Sequence, residues 1–369
     1  MVDFQLTEEQ QMIRDMVGAF ARDEIRPAAR GADESCEIPA QLTARIWELG
    51  LVRAAIPESL GGDGAERSAV TGAVVAEELG YGDMPIGLHA LAPRLFAYPI
   101  LEMGTEEQKE AFLRKFAGGS FVPAAAATIE PRWDFDLTEM ATTATPKNGG
   151  FVIDGIKCCV PLAAESDAIL VYARSRSEGG FGSVDAFVVP RETPGLRIGE
   201  REKNMGLRAL PTYEVTFDGC AVGANARLGG EKGIDFSRLM SETRVAFAAM
   251  AVGAMRAAFE YARDYAKERR AFGVPIATKQ AIAFMLADMA IEIDASRLLV
   301  WEAASRLDKG VDALRESYLA KNYIASSALK VADNAVQVLG GHGYIREHPV
   351  EMWLRNARAV AVFDAIATV

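Results

Sequence analysis

The chain has 369 residues, half of them hydrophobic and a quarter charged, and a formal net charge of −11. That length is too great for one ordinary core, so two or three packed units are expected. The charge excludes nucleic acid as a partner, since phosphate backbones demand clustered positive charge; a phosphorylated small molecule, which needs only a few arginines and backbone amides, stays open. Three histidines are too few for a His-rich metal site. The cysteines (Cys36, Cys158, Cys159, Cys220) lack metal-ligand spacing, and adjacent Cys158 and Cys159 are poorly placed to bridge. They read as buried thiols in a reducing compartment, with the cytoplasm as the default. No apolar run approaches the roughly 18–20 residues of a membrane span. The acidic, polar start MVDFQLTEEQQ reads as neither a signal nor a transit peptide.

Helix is predicted from Thr7, where Thr7 and Gln10 form a capping-box pattern ahead of Met12, Met16 and Phe20 at helical spacing. Residues 57–64 read as a loop and 70–79 as a further helix; Thr105 and Gln108 repeat the capping signal. The first unit, 1–120, is therefore helical. The texture then changes. Asn148-Gly149-Gly150 and Asp154-Gly155 are turn signals around the apolar run 151–153. Segments 168–172, 184–189 and 213–217 are β-branched or aromatic and bounded by Gly, Pro and Asp, which gives a β unit over 121–230. From 231 to 369 the pattern is helical again. Ala248, Val252, Met255, Phe259 and Ala262 share one face, Ile282, Leu286, Met289 and Ile293 another. A third helix covers about 312–339 and stops at Gly340-Gly341, and a fourth follows Pro349. The fold class is α+β, mainly α: helices, a small β-barrel or sandwich, then an antiparallel four-helix bundle whose wide apolar faces suggest a subunit interface.

The informative motifs lie in the C-terminal half. Glu268-Arg269-Arg270-Ala271-Phe272-Gly273 is followed by Gln280, and later by Gln337-Val338-Leu339-Gly340-Gly341-His342-Gly343. Read alone, Arg269 is equally a solvated helix-end charge and Gly340-Gly341 a helix stop. Together, and in the order α, β, α, they resemble the acyl-CoA dehydrogenase family across essentially the whole chain. Asn204-Met205-Gly206-Leu207-Arg208 and Gly155-Ile156-Lys157 with Asp167 are further matches. The resemblance implies FAD as cofactor, with Arg269, Phe272, Gln280, Gln337, Gly340 and Gly341 holding its diphosphate and adenine end for the neighbouring subunit. Arg suits a diphosphate through its planar fork of donors, and Gly lets backbone come close. It implies an acyl-CoA substrate placed by Arg244 and loss of an α-proton to a carboxylate while a hydride passes to the flavin. Electrons then go to an electron-transfer flavoprotein, in fatty acid metabolism, from a homodimer or dimer of dimers (a homotetramer). The family's usual base is a Glu; the aligned residue here is Asp364, in Phe363-Asp364-Ala365-Ile366. A water-excluded pocket would suit it to that role.

The departures cluster. The family's Thr-Glu-Pro-Gly-x-Gly-Ser-Asp loop appears as Ile129-Glu130-Pro131-Arg132-Trp133-Asp134-Phe135-Asp136, and its ring-covering Trp-Ile-Thr-Asn strand as Cys159-Val160-Pro161-Leu162. All fall on the flavin-ring half. Ile129 and Trp133 remain cofactor candidates there, Trp133 either by stacking on the ring or as a buried anchor, and Asp136 is a substrate-binding candidate. Three functions follow: a homomeric dehydrogenase with backbone groups holding the ring; an FAD-lending, weakly catalytic subunit of a hetero-oligomer; or a flavin monooxygenase or CoA-binding protein on the same fold. His89 reads as a packed histidine and His342 as a turn residue near the cofactor.

Overall fold

The computed structural model describes residues 5–369; the first four residues of the polar start lie outside the described residues. Helix α1 (Glu8–Phe20) begins with the expected box, in which Gln10 N donates to Thr7 Oγ1 at 3.2 Å and Thr7 N to Gln10 Oε1 at 3.1 Å. A wider turn, Ala21–Ile25, leads into α2 (Arg26–Ser35), followed by α3 (Ala40–Glu48), α4 (Ala69–Gly82), α5 (Met84–Leu91), α6 (Arg94–Met103) and α7 (Glu106–Phe112). The second box, Thr105 with Gln108, starts α7. Helices α5 and α6 left no signal in the sequence. Every residue of α5 is buried, so it lacks the polar face that makes a helical period visible.

Seven strands make one sheet: β1 (Ala125–Ala127), β2 (Thr143–Lys147), β3 (Gly150–Pro161), β4 (Ala168–Arg174), β5 (Val184–Pro190), β6 (Leu196–Arg201) and β7 (Thr212–Gly223). Their order is β1-β4-β2-β3-β7-β6, with β5 also on β4. Strand β1 runs parallel to β4, while the long pairs β3–β7 and β4–β5 are antiparallel. Alternate residues Ile169, Val171 and Ala173 of β4 meet Phe187 and Val189 of β5 in a separate small core, as a pleat of period two requires.

The C-terminal bundle consists of α8 (Phe236–Glu268), a short hairpin of β8 (Arg270–Ala271) and β9 (Val274–Pro275), α9 (Gln280–Asp308), α10 (Leu314–Leu339), α11 (Gly341–Tyr344) and α12 (Val350–Arg358). By length and composition α8 alone among the described helices is apolar enough to cross a membrane, yet 78% of that stretch is buried within the protein. It is the bundle's central helix. Its backbone lies directly on α4: a Cβ at Gly80 would overlap the Met250 carbonyl, and one at Gly253 the Glu77 carbonyl. Glu77 of α4 is nearly buried and takes Arg256 of α8 at 3.2 Å and Arg297 of α9 at 2.9 Å. One carboxylate thus ties three helices, and burial is tolerated because both partners arrive with it.

Candidate active site

Between the β domain and the bundle lies a cleft of about 690 Å³, lined among others by Ile129, Asp136, Arg244, Tyr318, Lys321 and Asp364. Four of these, Ile129, Asp136, Arg244 and Asp364, are candidates already legible in the sequence. Arg244 falls within the stretch of α8 that is buried on every side, residues 239–252, so its guanidinium needs a counter-charge inside the protein. The tail after α12 supplies it: Asp364 Oδ2 is 3.5 Å from Arg244 Nε and 3.6 Å from Lys321 Nζ. Arg244 also lies 5.3 Å from the Tyr318 ring, within cation–π range. Its buried Nε makes no hydrogen bond and is held to Asp364 by charge alone. The other carboxylate oxygen, Oδ1, accepts from Ala365 N at 3.0 Å, in a turn where Ala365 has φ of +51°.

The expectation of a water-excluded pocket around Asp364 left out these two cations. A buried arginine demands an anion, so the carboxylate stands between two cations. Lys321 was not anticipated. It follows Leu319 and Ala320 on α10, and a lysine one step from an apolar face reads as a solvated stem. Asp136 is not free either. Thr138 donates to its Oδ1 from Oγ1 at 2.6 Å and from N at 2.7 Å, and these bonds hold its carboxyl below the usual range.

Under the cleft, Glu130 and Lys157 form a buried pair at 3.2 Å. Lys157 also donates to the Thr128 carbonyl at 2.8 Å, and Glu130 accepts from the amides of Ala141 and Thr142. Burial pushes the Lys157 ammonium down to about 8 despite the Glu130 charge. Burial alone would raise Glu130, but Lys157 and the two amides outweigh it and hold the carboxyl low. Ile129 accepts from the Cys158 amide at 2.9 Å, so the loop is anchored to β3. Trp133, by contrast, is 98% exposed and outside the cleft lining. In this chain it is not a buried anchor.

A second cavity, about 350 Å³, opens at the far end of the bundle and is lined by Arg269, Gly340, Gly341, His342 and Tyr265. Arg269 caps α8, its amide donating to the Tyr265 carbonyl at 2.8 Å. Open space surrounds Gly340 and Gly341 where a side chain would be. Phe272 at the hairpin tip has φ of +54° and is 95% exposed. Gln280 opens α9, Gln337 lies in the last turn of α10, and both are exposed. Phe272, Gln280 and Gln337 do not line this cavity. The lining itself suits FAD at its diphosphate: a guanidinium fork and glycine backbone open to close approach. No lining residue is common to this cavity and the cleft. His342 and His348 stack here at 5.5 Å, with Tyr265 and Tyr261 on their Nδ1 atoms, while His89 packs inside the N-terminal helices against Phe121.

Residues 7–120, 124–220 and 234–364 match in turn the N-terminal, middle and C-terminal domains of acyl-CoA dehydrogenase, and the chain belongs to that family. It is an oxidoreductase acting on CH–CH bonds that carries out flavin-dependent dehydrogenation of an acyl-CoA, with FAD as cofactor. It is 36% identical to an acyl-CoA dehydrogenase of Bacillus subtilis (97% of this chain, 95% of the other) and 38% identical to a cyclohex-1-ene-1-carbonyl-CoA dehydrogenase of Geobacter metallireducens (97% and 94%). Butyryl-CoA dehydrogenase from Megasphaera elsdenii superposes with a TM-score of 0.88 at 30% identity, over 100% of this chain and 96% of that one. The α+β, mainly α architecture expected from the sequence is the fold these structures share.

Proposed function

We propose that Asp364 is the base that removes the α-proton of the acyl-CoA, with Arg244 and Lys321 positioning it. The observation that carries this is the meeting of Asp364, Arg244 and Lys321 at one wall of the cleft. A substrate entering the cleft displaces one of the two cations from the carboxylate, and Arg244, whose Nε faces Asp364 at 3.5 Å without a hydrogen bond, is then a donor for the thioester end. Bound FAD supplies the hydride acceptor. Aspartate is one methylene shorter than glutamate, and holding it from both sides offsets the shorter reach by fixing its direction.

Arg269, Phe272, Gln280, Gln337 and Gly341 are assigned to the cofactor's diphosphate and adenine end in a second subunit, because they are exposed in their own chain and remote from its cleft. The exposed apolar residues Phe284, Ile291 and Leu298 recur every seven residues on α9, a stripe suited to a helix of another copy. The assembly is read as a homodimer or dimer of dimers, handing electrons to an electron-transfer flavoprotein. A mixed oligomer is the second reading, favoured by Trp133 lying outside the cleft lining and by Ile129 offering no hydroxyl there. Purification of the chain alone separates the two. About one FAD per subunit and bleaching by an acyl-CoA support the homomeric enzyme; a colourless chain that gains flavin only with a related subunit supports the other.

A further inference from the structure

The sequence sets Cys158 and Cys159 side by side, and in a regular strand such neighbours point to opposite faces. The structure changes that. Against β7, strand β3 advances from Lys157 to Val160 while its partner advances only from Val215 to Tyr213, so one extra residue is inserted. The two cysteines are the bulge, and Cys159 takes φ of +56°. The bulge breaks the strict alternation of faces at two neighbouring, partly exposed cysteines, and their interaction holds the Cys158 thiol below its usual range while the Cys159 thiol is pushed up. Both are partly exposed, whereas Cys220 is buried and Cys36 stands apart beside Arg208 at 3.4 Å. The backbone of the pair is pinned on both sides, Cys158 N to the Ile129 carbonyl at 2.9 Å and Cys159 N to Glu202 Oε1 at 3.0 Å.

We propose that Cys158 and Cys159 form a redox-active dithiol that hydrogen peroxide closes into a disulfide. The Cys158 thiolate attacks one peroxide oxygen, the O–O bond breaks, and the departing hydroxide takes up the proton that Cys158 released, giving a sulfenic acid and water. The Cys159 sulfur then attacks the Cys158 sulfur; the S–O bond breaks and a second water leaves with the Cys159 proton. Two thiols lose two electrons and two protons, and one peroxide becomes two waters. Neighbouring Cα atoms are about 3.8 Å apart, closer than the usual disulfide span of about 4.4–6.8 Å, so the ring is strained and small thiols reopen it. It would form one hydrogen bond away from Ile129, which lines the cleft, and so reset the strand under the acyl-binding wall.

The test is peptide mass mapping of the full-length, assembled protein after peroxide, with alkylation and no reduction. The expected result is a peptide holding both cysteines that has lost two hydrogens, takes up no alkylating reagent, and regains both sites after dithiothreitol. Cys36→Ser and Cys220→Ser should leave this unchanged, and Cys159→Ser should stop at oxides of Cys158. Two alkyl groups on the peroxide-treated wild-type peptide, or a bridge from either residue to Cys36, overturn the proposal. Because the wild-type chain decides the matter, folding of the variants does not.

Discussion

The cleft and the far end of the bundle are built on opposite plans. In the cleft, every charged residue of interest is answered within the chain: Arg244 and Lys321 by Asp364, Lys157 by Glu130, Asp136 by Thr138. At the far end, Phe272, Gln280, Gln337 and Gly341 are exposed, and Phe272 has only the Lys279 ammonium 5.7 Å from its ring. A protein keeps exposed an aromatic tip and a pair of amides on helix ends at some cost in solubility and order. The contrast teaches that the first region is complete as folded, whereas the second acquires its purpose only against another molecule.

The largest test of that contrast is Asp364→Ala. General-base catalysis contributes about 10²–10⁴-fold, and we expect flavin reduction by acyl-CoA in stopped-flow to slow by that factor with the assembly intact. A loss below tenfold removes Asp364 from the chemistry and favours a flavin reaction that needs no α-proton base. Next comes Lys157→Met, which takes the buried cation from Glu130 and leaves it Arg132 at 3.2 Å and two backbone amides, and should cost about 1–3 kcal/mol in denaturant unfolding. The same lysine gives a pH signature. Its folded value of about 8 lies below the ordinary 10.5, so between these the unfolded chain holds more protons and stability rises with pH; below about 8 both states are protonated and the contribution is flat. In the methionine variant this rise should vanish.

Arg269→Ala should act on the cofactor alone. Losing a charged hydrogen bond of about 1.5–3 kcal/mol weakens FAD binding roughly 10- to 150-fold in a fluorescence titration, while unfolding of the flavin-free chain stays within about 0.5 kcal/mol. Equal damage to both would place Arg269 in the fold instead. Smallest of all is Trp133→Ala, expected to shift stability by less than about 0.5 kcal/mol because the side chain is 98% exposed. A tenfold fall in FAD affinity there would bring Trp133 back as a contact of the flavin ring.

Legibility followed the physics of each signal. Both capping boxes were plain, because a cap is a local bond between residues three apart. The long bundle helices announced themselves by period, while Arg269, Gln337 and Gly341 were singled out only through motifs shared with the family, and their part in holding FAD is a proposal. Helix α5 was invisible for want of a polar face, and Lys321 because its meaning depends on a tail more than forty residues away in the chain. The bulge at Cys158 and Cys159 was hidden for a related reason: an inserted residue in a ladder is a property of two strands, and only one was being read.

The glycine contacts between α4 and α8 carry a mechanical consequence. With Gly80 under the Met250 carbonyl and Gly253 under that of Glu77, the two backbones interlock and cannot slide past one another without collision. The N-terminal helices and the bundle therefore move as one frame. A substrate as large as a coenzyme A ester then meets a frame that does not give way, and its fit rests on the walls outside this interlock, the loop around Asp136 and the tail through Asp364.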